Sequence, residues 1–514
     1  MRGLRREAAG IEPRPVDVPG EQSSPLGWFG FFVVCALAVV ATPALAQQTA
    51  PPPNSPSAKL PEPQSAPLDV QHPDAKSAAQ QPAPDAQQPG ANAQVHTGTK
   101  SGLEVDERLQ NLLADHQFVL LASQLDKMPK EQAQFYRGIL ANRSNDNKQS
   151  IELLEPLVDK VTASGNFGQE KLLRKALAED YLRSGDWTKA AKAYQTLDFR
   201  LQGHLSPDEV DEIEMPRKLL PLAADNPPVT VEPCDPFKLQ VARNPLGLTD
   251  IPVYVDARPH AWMLDPTAPF NLISRSLAKE AGLKVSEQST TIHTLTGKPI
   301  EMYVTVIPRF TVGGRLTFRN MTAFVFDDAD YFYPQSHYQV EGILGYPALA
   351  ALGSLTVTAD ATIEVRPVKQ IEPAVKDDLL TTGAPFFLDG DQVIAALGKT
   401  GEERMFVVDA GGQQTYLTAR YFDEHSADFA NQKMELFTLP GPQSLAPVSA
   451  YVAETVLLPV GPGTIDVHFV PVLTQPIGSA ALDDVYGLLG VDALDQLRAY
   501  TFDYRTMRFA VKTE

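Results

Sequence analysis

"WMLDPTAPFNLIS", residues 262–274, is an apolar run that ends in a carboxylate, Asp265, passes through a turn of small residues and resumes as a second apolar run. It reads as a buried strand that delivers an acid into a tight turn. A partial echo stands further along the chain in "MFVVDAGGQQTYLT", residues 405–418, where Asp409 occupies the same place.

The echo extends over the whole of residues 248–514. Each half opens with a predicted hairpin whose second strand delivers the Asp. Each continues into an apolar pair and a hydroxyl residue, Leu272-Ile273-Ser274 and then Tyr416-Leu417-Thr418. Each reaches an apolar-apolar-Gly element at nearly the same distance, with Gly345 80 residues after Asp265 and Gly490 81 after Asp409. A Leu follows four positions on (Leu349, Leu494), and a strand closes each unit.

On these motifs residues 240–512 resemble the retropepsin-like aspartic protease family, with two lobes fused in one chain as in pepsin-like enzymes. The resemblance implies an all-β bilobal half in which each lobe donates one Asp, so that Asp265 and Asp409 form the catalytic pair. It also implies that Gly345 and Gly490 pack the loops that hold them, and that a peptide or protein substrate lies between the lobes. Two carboxylates a few ångströms apart cannot both ionise, so such a pair shares one proton. The ionised member activates a water and the protonated member hydrogen-bonds the scissile carbonyl. That chemistry requires no metal, no cofactor and no histidine. "IHTLTGKPIEMYVTVI" (292–307), with Thr296-Gly297-Lys298 as its turn, reads either as a flap over the first lobe or as a plain surface hairpin; "FTLPGPQSLAPVSAYVAETVLL" (437–458) is its counterpart.

The site loops depart from the family pattern, where Thr or Ser and then Gly usually follow the Asp. The first loop runs Asp265-Pro266-Thr267-Ala268, and the second Asp409-Ala410-Gly411-Gly412. Pro266 has neither hydroxyl nor amide hydrogen, and Thr267 stands where Gly would be most permissive. Both hydroxyl bonds between the lobes are therefore expected to be missing. Each contributes on the order of 1 kcal/mol to the fold, but misplacing reacting groups by about an ångström costs roughly a hundredfold in rate. Two readings follow: a peptidase of reduced activity, or an inactive descendant that still binds peptide in its cleft.

Ahead of the β half the texture changes. Residues 101–218 are rich in helix formers, and "ALAEDYLRSGDWTKAAKAYQTL" (176–197) places Leu177, Ala178, Tyr181, Ala190 and Tyr194 around a Gly185-Asp186 turn in a spacing that resembles a tetratricopeptide repeat. "FYRGILANRSNDNKQSIELLEPL" (135–157) is a weaker match, and an ordinary helical hairpin domain is the alternative. The concave face of such repeats is a possible site for a protein partner. The fold expected is thus multidomain, an all-α part before two β lobes (248–370 and 380–514), with the Pro-rich residues 219–247 as a linker.

Residues 47–100 carry eleven prolines between Pro51 and Pro89 and almost no large apolar groups, the composition of a disordered spacer. "PLGWFGFFVVCALAVVATPALAQQ" ends in Ala44-Leu45-Ala46, the small-x-small pattern of a secretory cleavage site, so residues 1–46 read as a signal peptide, or as an uncleaved membrane anchor. Export to a periplasm or the exterior is the expectation, with no membrane contact beyond that segment. Cleavage there leaves Cys234 as the one cysteine, so no intrachain disulfide can form. The net charge of −19 disfavours nucleic acid and anionic surfaces as partners. The nine histidines lack the spacing of a metal centre. The acidic run Asp327, Asp328, Asp330 lacks the Gly of a calcium loop and reads as a solvated loop.

Overall fold

The computed structural model describes residues 107–293, 299–334, 336–367, 383–390, 392–399, 401–441, 444–460, 463–476 and 484–512. A helical segment comes first and a large β-rich region follows. Helices run from Glu107–Ala114 to Pro207–Ala223. Two helix pairs stand where the sequence predicts them: Lys130–Arg143 with Asn147–Leu154, and Phe167–Arg183 with Trp187–Arg200. Their turns, Ser144-Asn145-Asp146 and Ser184-Gly185-Asp186, solve one problem in one way. The middle residue takes a positive φ (59° at Asn145, 78° at Gly185), and the Asp side chain accepts from Gln149 N or Lys189 N to cap the next helix. Gly138 lets the first pair touch, since a Cβ there would lie 2.4 Å from Leu154 Cδ2.

Residues 219–247 are not a spacer. The helix Pro207–Ala223 continues past 218 with Pro216 and Pro221 inside it, and burial of Ile213, Leu219, Leu220 and Ala223 outweighs the two lost backbone donors. Beyond it, Thr230–Val231 pairs with Leu316–Phe326, and Phe237–Gln240 pairs with Thr362–Arg366. Both are short strands at sheet ends, where neighbouring prolines such as Pro233 and Pro236 interrupt no ladder.

The internal duplication is visible in the strand pairing. Arg258–Leu264 pairs parallel with Gly342–Leu344, which pairs antiparallel with Leu272–Ser274, which pairs parallel with Leu316–Phe326. In the second half Arg404–Val408, Gly487–Leu489, Tyr416–Leu417 and Gly463–Leu473 repeat the same pairings in the same order and sense. Ser274 and Thr418, the hydroxyl residues of the motif, each stand at the start of a helix, Arg275–Glu280 and Ala419–His425. The two halves share a sheet. Ser354–Thr358 and Thr362–Arg366 lie beside Ala499–Asp503 and Arg508–Lys512 in one sheet, and a single core runs from Ile251 and Trp262 to Val408 and Phe509.

Trp262 is fully buried against Gly342, where an added Cβ would come within 2.3 Å of its ring. Gly342→Ala is expected to lower stability by about 1–3 kcal/mol, as overpacking does, read as an earlier urea midpoint.

Candidate active site

Each Asp is held by the backbone of the apolar-apolar-Gly strand. Asp265 N donates to Leu344 O (3.2 Å) and Asp409 N to Leu489 O (2.9 Å). Behind each turn the chain closes again: Tyr346 N donates to Ala268 O and Val491 N to Gly412 O, both at 2.8 Å. Gly345 and Gly490 occupy the predicted loop-supporting positions because no side chain fits there. A Cβ on Gly345 would lie 2.3 Å from Phe270 O, and one on Gly490 would lie 2.7 Å from the Gln414 carbonyl carbon. Two residues that sequence reading passed over complete the frame. Asn271 Oδ1 accepts from Gly345 N (3.2 Å), and Thr415 Oγ1 accepts from Gly490 N (2.9 Å). Each lies six positions after its Asp, and that repeated offset was the available signal. Asp492 in turn accepts from the Thr415 amide and hydroxyl.

The two aspartates meet. Thr267 Oγ1 lies 2.7 Å from Asp265 Oδ1 and 3.4 Å from Asp409 Oδ1, although 142 residues separate it from Asp409. Asp265 Oδ1 also accepts from Thr267 N (2.9 Å) and Ala268 N (3.1 Å), and Asp409 Oδ1 from Gly411 N (2.8 Å). The expectation that no hydroxyl links the halves is corrected: Thr267, two places after its Asp, reaches across where Pro266 cannot. Thr267 needs no positive φ to stand there. The glycine at 411 is required by closeness instead, since a Cβ on it would fall 2.5 Å from Asp265 Cγ.

Both carboxyls are half-buried. Burial pushes Asp265 up, against the hydrogen bonds from Thr267 and Ala268. Burial and the charge of Asp265 push Asp409 up to about 7. Below that value the pair therefore keeps a proton. Tyr331 and Tyr333 stand close enough that the Asp265 charge, added to their burial, raises both phenols. The neighbouring acidic run is locally satisfied: Asp327 pairs with Arg275, and Asp328 Oδ1 accepts from Ser276 N.

The strands of both proposed flaps are present as Thr290–His293 with Pro299–Val312, and Glu435–Gly441 with Ser444–Val460. Thr296, Gly297 and Lys298 lie outside the described residues.

The strands that deliver the acids alternate in what they pack against. Trp262 and Leu264 enter the shared core while Met263 faces the other way. Phe406 and Val408 enter the same core while Met405 and Val407 face away. The helical segment covers both of these faces. Trp187, Leu219 and Leu220 pack with Met263, Leu272, Ile292, Ile300 and Ile343. Phe118, Leu121 and Phe135 pack with Val407, Tyr416 and Leu488. Lys218 Nζ also donates to Thr291 O (2.8 Å), tying a helix to the first flap strand. At the junction Asp389 meets Arg143 (2.9 Å), Lys175 (3.2 Å) and His116 Nε2 (3.0 Å). Burial works against the Asp389 charge, but Arg143, Lys175 and His116 hold its carboxyl well below the usual range.

The family model described as aspartyl protease matches residues 251–348, which make up most of the first half. No curated protein matches the chain. Among solved structures the chain is similar to a retropepsin-like aspartic protease from Rickettsia conorii, at 19% identity over 25% of this chain and 98% of that one, TM-score 0.19. It is also similar to Basic 7S globulin from soybean, at 10% identity over 55% of this chain and 97% of that one, TM-score 0.33.

A carboxyl raised in the folded state stabilises fully below its ordinary value and loses that contribution as pH climbs through the raised one. Between pH 5 and 8 the wild type is therefore expected to lose about 2–3 kcal/mol through Asp409 that Asp409→Asn does not lose, measured by urea titration at both pH values. Asp389 has the opposite sign: its contribution is present above the ordinary carboxylate value and fades as pH falls through the lowered one. Asp389→Asn is expected to cost about 3 kcal/mol at neutral pH, as breaking a buried pair does, with faster amide exchange in residues 107–223.

Proposed function

We propose that the chain is an exported aspartic-type endopeptidase of reduced activity. The observation that carries this reading is one hydroxyl, that of Thr267, in contact with acids from both halves. One acid of such a pair is ionised and can take a proton from a water. The other keeps its proton for the oxygen of the scissile carbonyl as the tetrahedral species forms. The substrate is an extended peptide lying over the pair, between the two hairpins. Export rests on the apolar run ending at Ala46.

A second reading, a pseudoprotease that binds peptide or protein without cutting it, is favoured by the helices. They pack on residues of the strand that delivers Asp265 and tie to the first flap strand through Lys218, which restricts the room for a peptide over the pair. The same helices are the candidate surface for a protein partner.

Cleavage of an unfolded protein at mildly acidic pH, blocked by a statine-type transition-state mimic and reduced at least about a hundredfold in Asp409→Asn, supports the first reading. Tight binding of the mimic with no turnover selects the second. Amino-terminal sequencing of the secreted chain is expected to start at Gln47; recovery of an intact amino terminus in the membrane fraction overturns cleavage.

A further inference from the structure

The two site loops differ in a way that assigns unequal roles to their acids. Asp265 receives three donors on one oxygen, the Thr267 amide, the Thr267 hydroxyl and the Ala268 amide. Asp409 receives two backbone donors, the Gly411 amide at 2.8 Å from Oδ1 and the Gly412 amide, and its Oδ1 faces the Thr267 oxygen at a longer 3.4 Å. A hydroxyl has one proton to donate and lone pairs with which to accept. At 2.7 Å that proton belongs to Asp265. The longer contact is then favourable only if Asp409 carries a proton and donates it to Thr267 Oγ1; with both acids ionised it is a contact between two oxygens with no hydrogen between them. The mirrored position in the second half cannot carry such a group, because a Cβ at Gly411 would collide with the Asp265 carboxyl.

We propose that the Thr267 hydroxyl is the positioning group that fixes where the shared proton sits, donating to an ionised Asp265 and accepting from a protonated Asp409. Asp265 is then the base toward water and Asp409 the acid toward the carbonyl. The same hydroxyl offers a return route. After water has given a proton to Asp265 and Asp409 has given its proton away, Asp265 passes a proton to Thr267 Oγ1 as Thr267 passes its own to Asp409, which restores the starting state with no net change. Pro266 makes this arrangement intelligible: with no hydroxyl beside the Asp, the next residue supplies one.

The assignment of roles rests on the aspartic-type reading, but the place of the proton is measurable without turnover. The test is carbon-13 NMR of the aspartate carboxyls in the full chain, with Asp265→Asn and Asp409→Asn used to assign the two signals. In the wild type Asp265 is expected to ionise first as pH rises and Asp409 last, near 7. In Thr267→Val the two midpoints should draw together by about one pH unit, the scale of a lost hydrogen bond to a charge. Thr267→Ser should restore them. Where peptide is cut, Thr267→Val should lower kcat about tenfold or more with KM unchanged. An Asp409 that ionises first in the wild type overturns the proposal even if Thr267→Val fails to fold, and so do midpoints indifferent to Thr267→Val. The expected titrations with no peptide cut at any pH support the proton assignment and sink only the peptidase reading.

Discussion

Two carboxyls that repel each other when ionised stand within reach of one hydroxyl, and much of the β-rich region serves to keep them there. Neither acid could be held so by its own turn. Each is pinned from behind by a backbone bond to the Leu of an apolar-apolar-Gly strand, and each turn is closed by the residue after that Gly. The strands that do the pinning are parallel to the ones they hold, so they return from far along the chain. The site is thus a product of long-range pairing, and its precision depends on close approaches such as Gly345 on Phe270 and Gly411 on Asp265.

The helical segment changes what that site means. Helices are stabilised mainly by burying one face, and here they bury it on residues of the strands that deliver the acids, Met263 in one half and Val407 in the other. The charged cluster around Asp389 gives the docking a register, since a misplaced helix would leave Arg143 or Lys175 buried without a counter-charge.

Much of this was legible in residues alone. The Asp, the small turn, the apolar pair with its hydroxyl and the later Gly are local signals, and their recurrence at 80 and 81 residues told of a duplicated unit before any contact was known. The helix pairs were legible for the same reason: Ser-Asn-Asp and Ser-Gly-Asp turns carry their own capping and φ requirements. The prolines of residues 219–247 misled, because a proline that breaks a central strand is harmless beside one at a sheet end.

Turn chemistry and strand alternation act over a few residues, so local signals were enough to place two acids in equivalent turns of two equivalent units. Long-range packing alone made Thr267 replace the missing hydroxyl between the halves, made Asn271 and Thr415 brace the loops, and set the helices against the strands that deliver the acids. Those outcomes depend on distances between residues far apart in the chain, and an apolar or polar side chain carries no local mark of which distant partner it will meet.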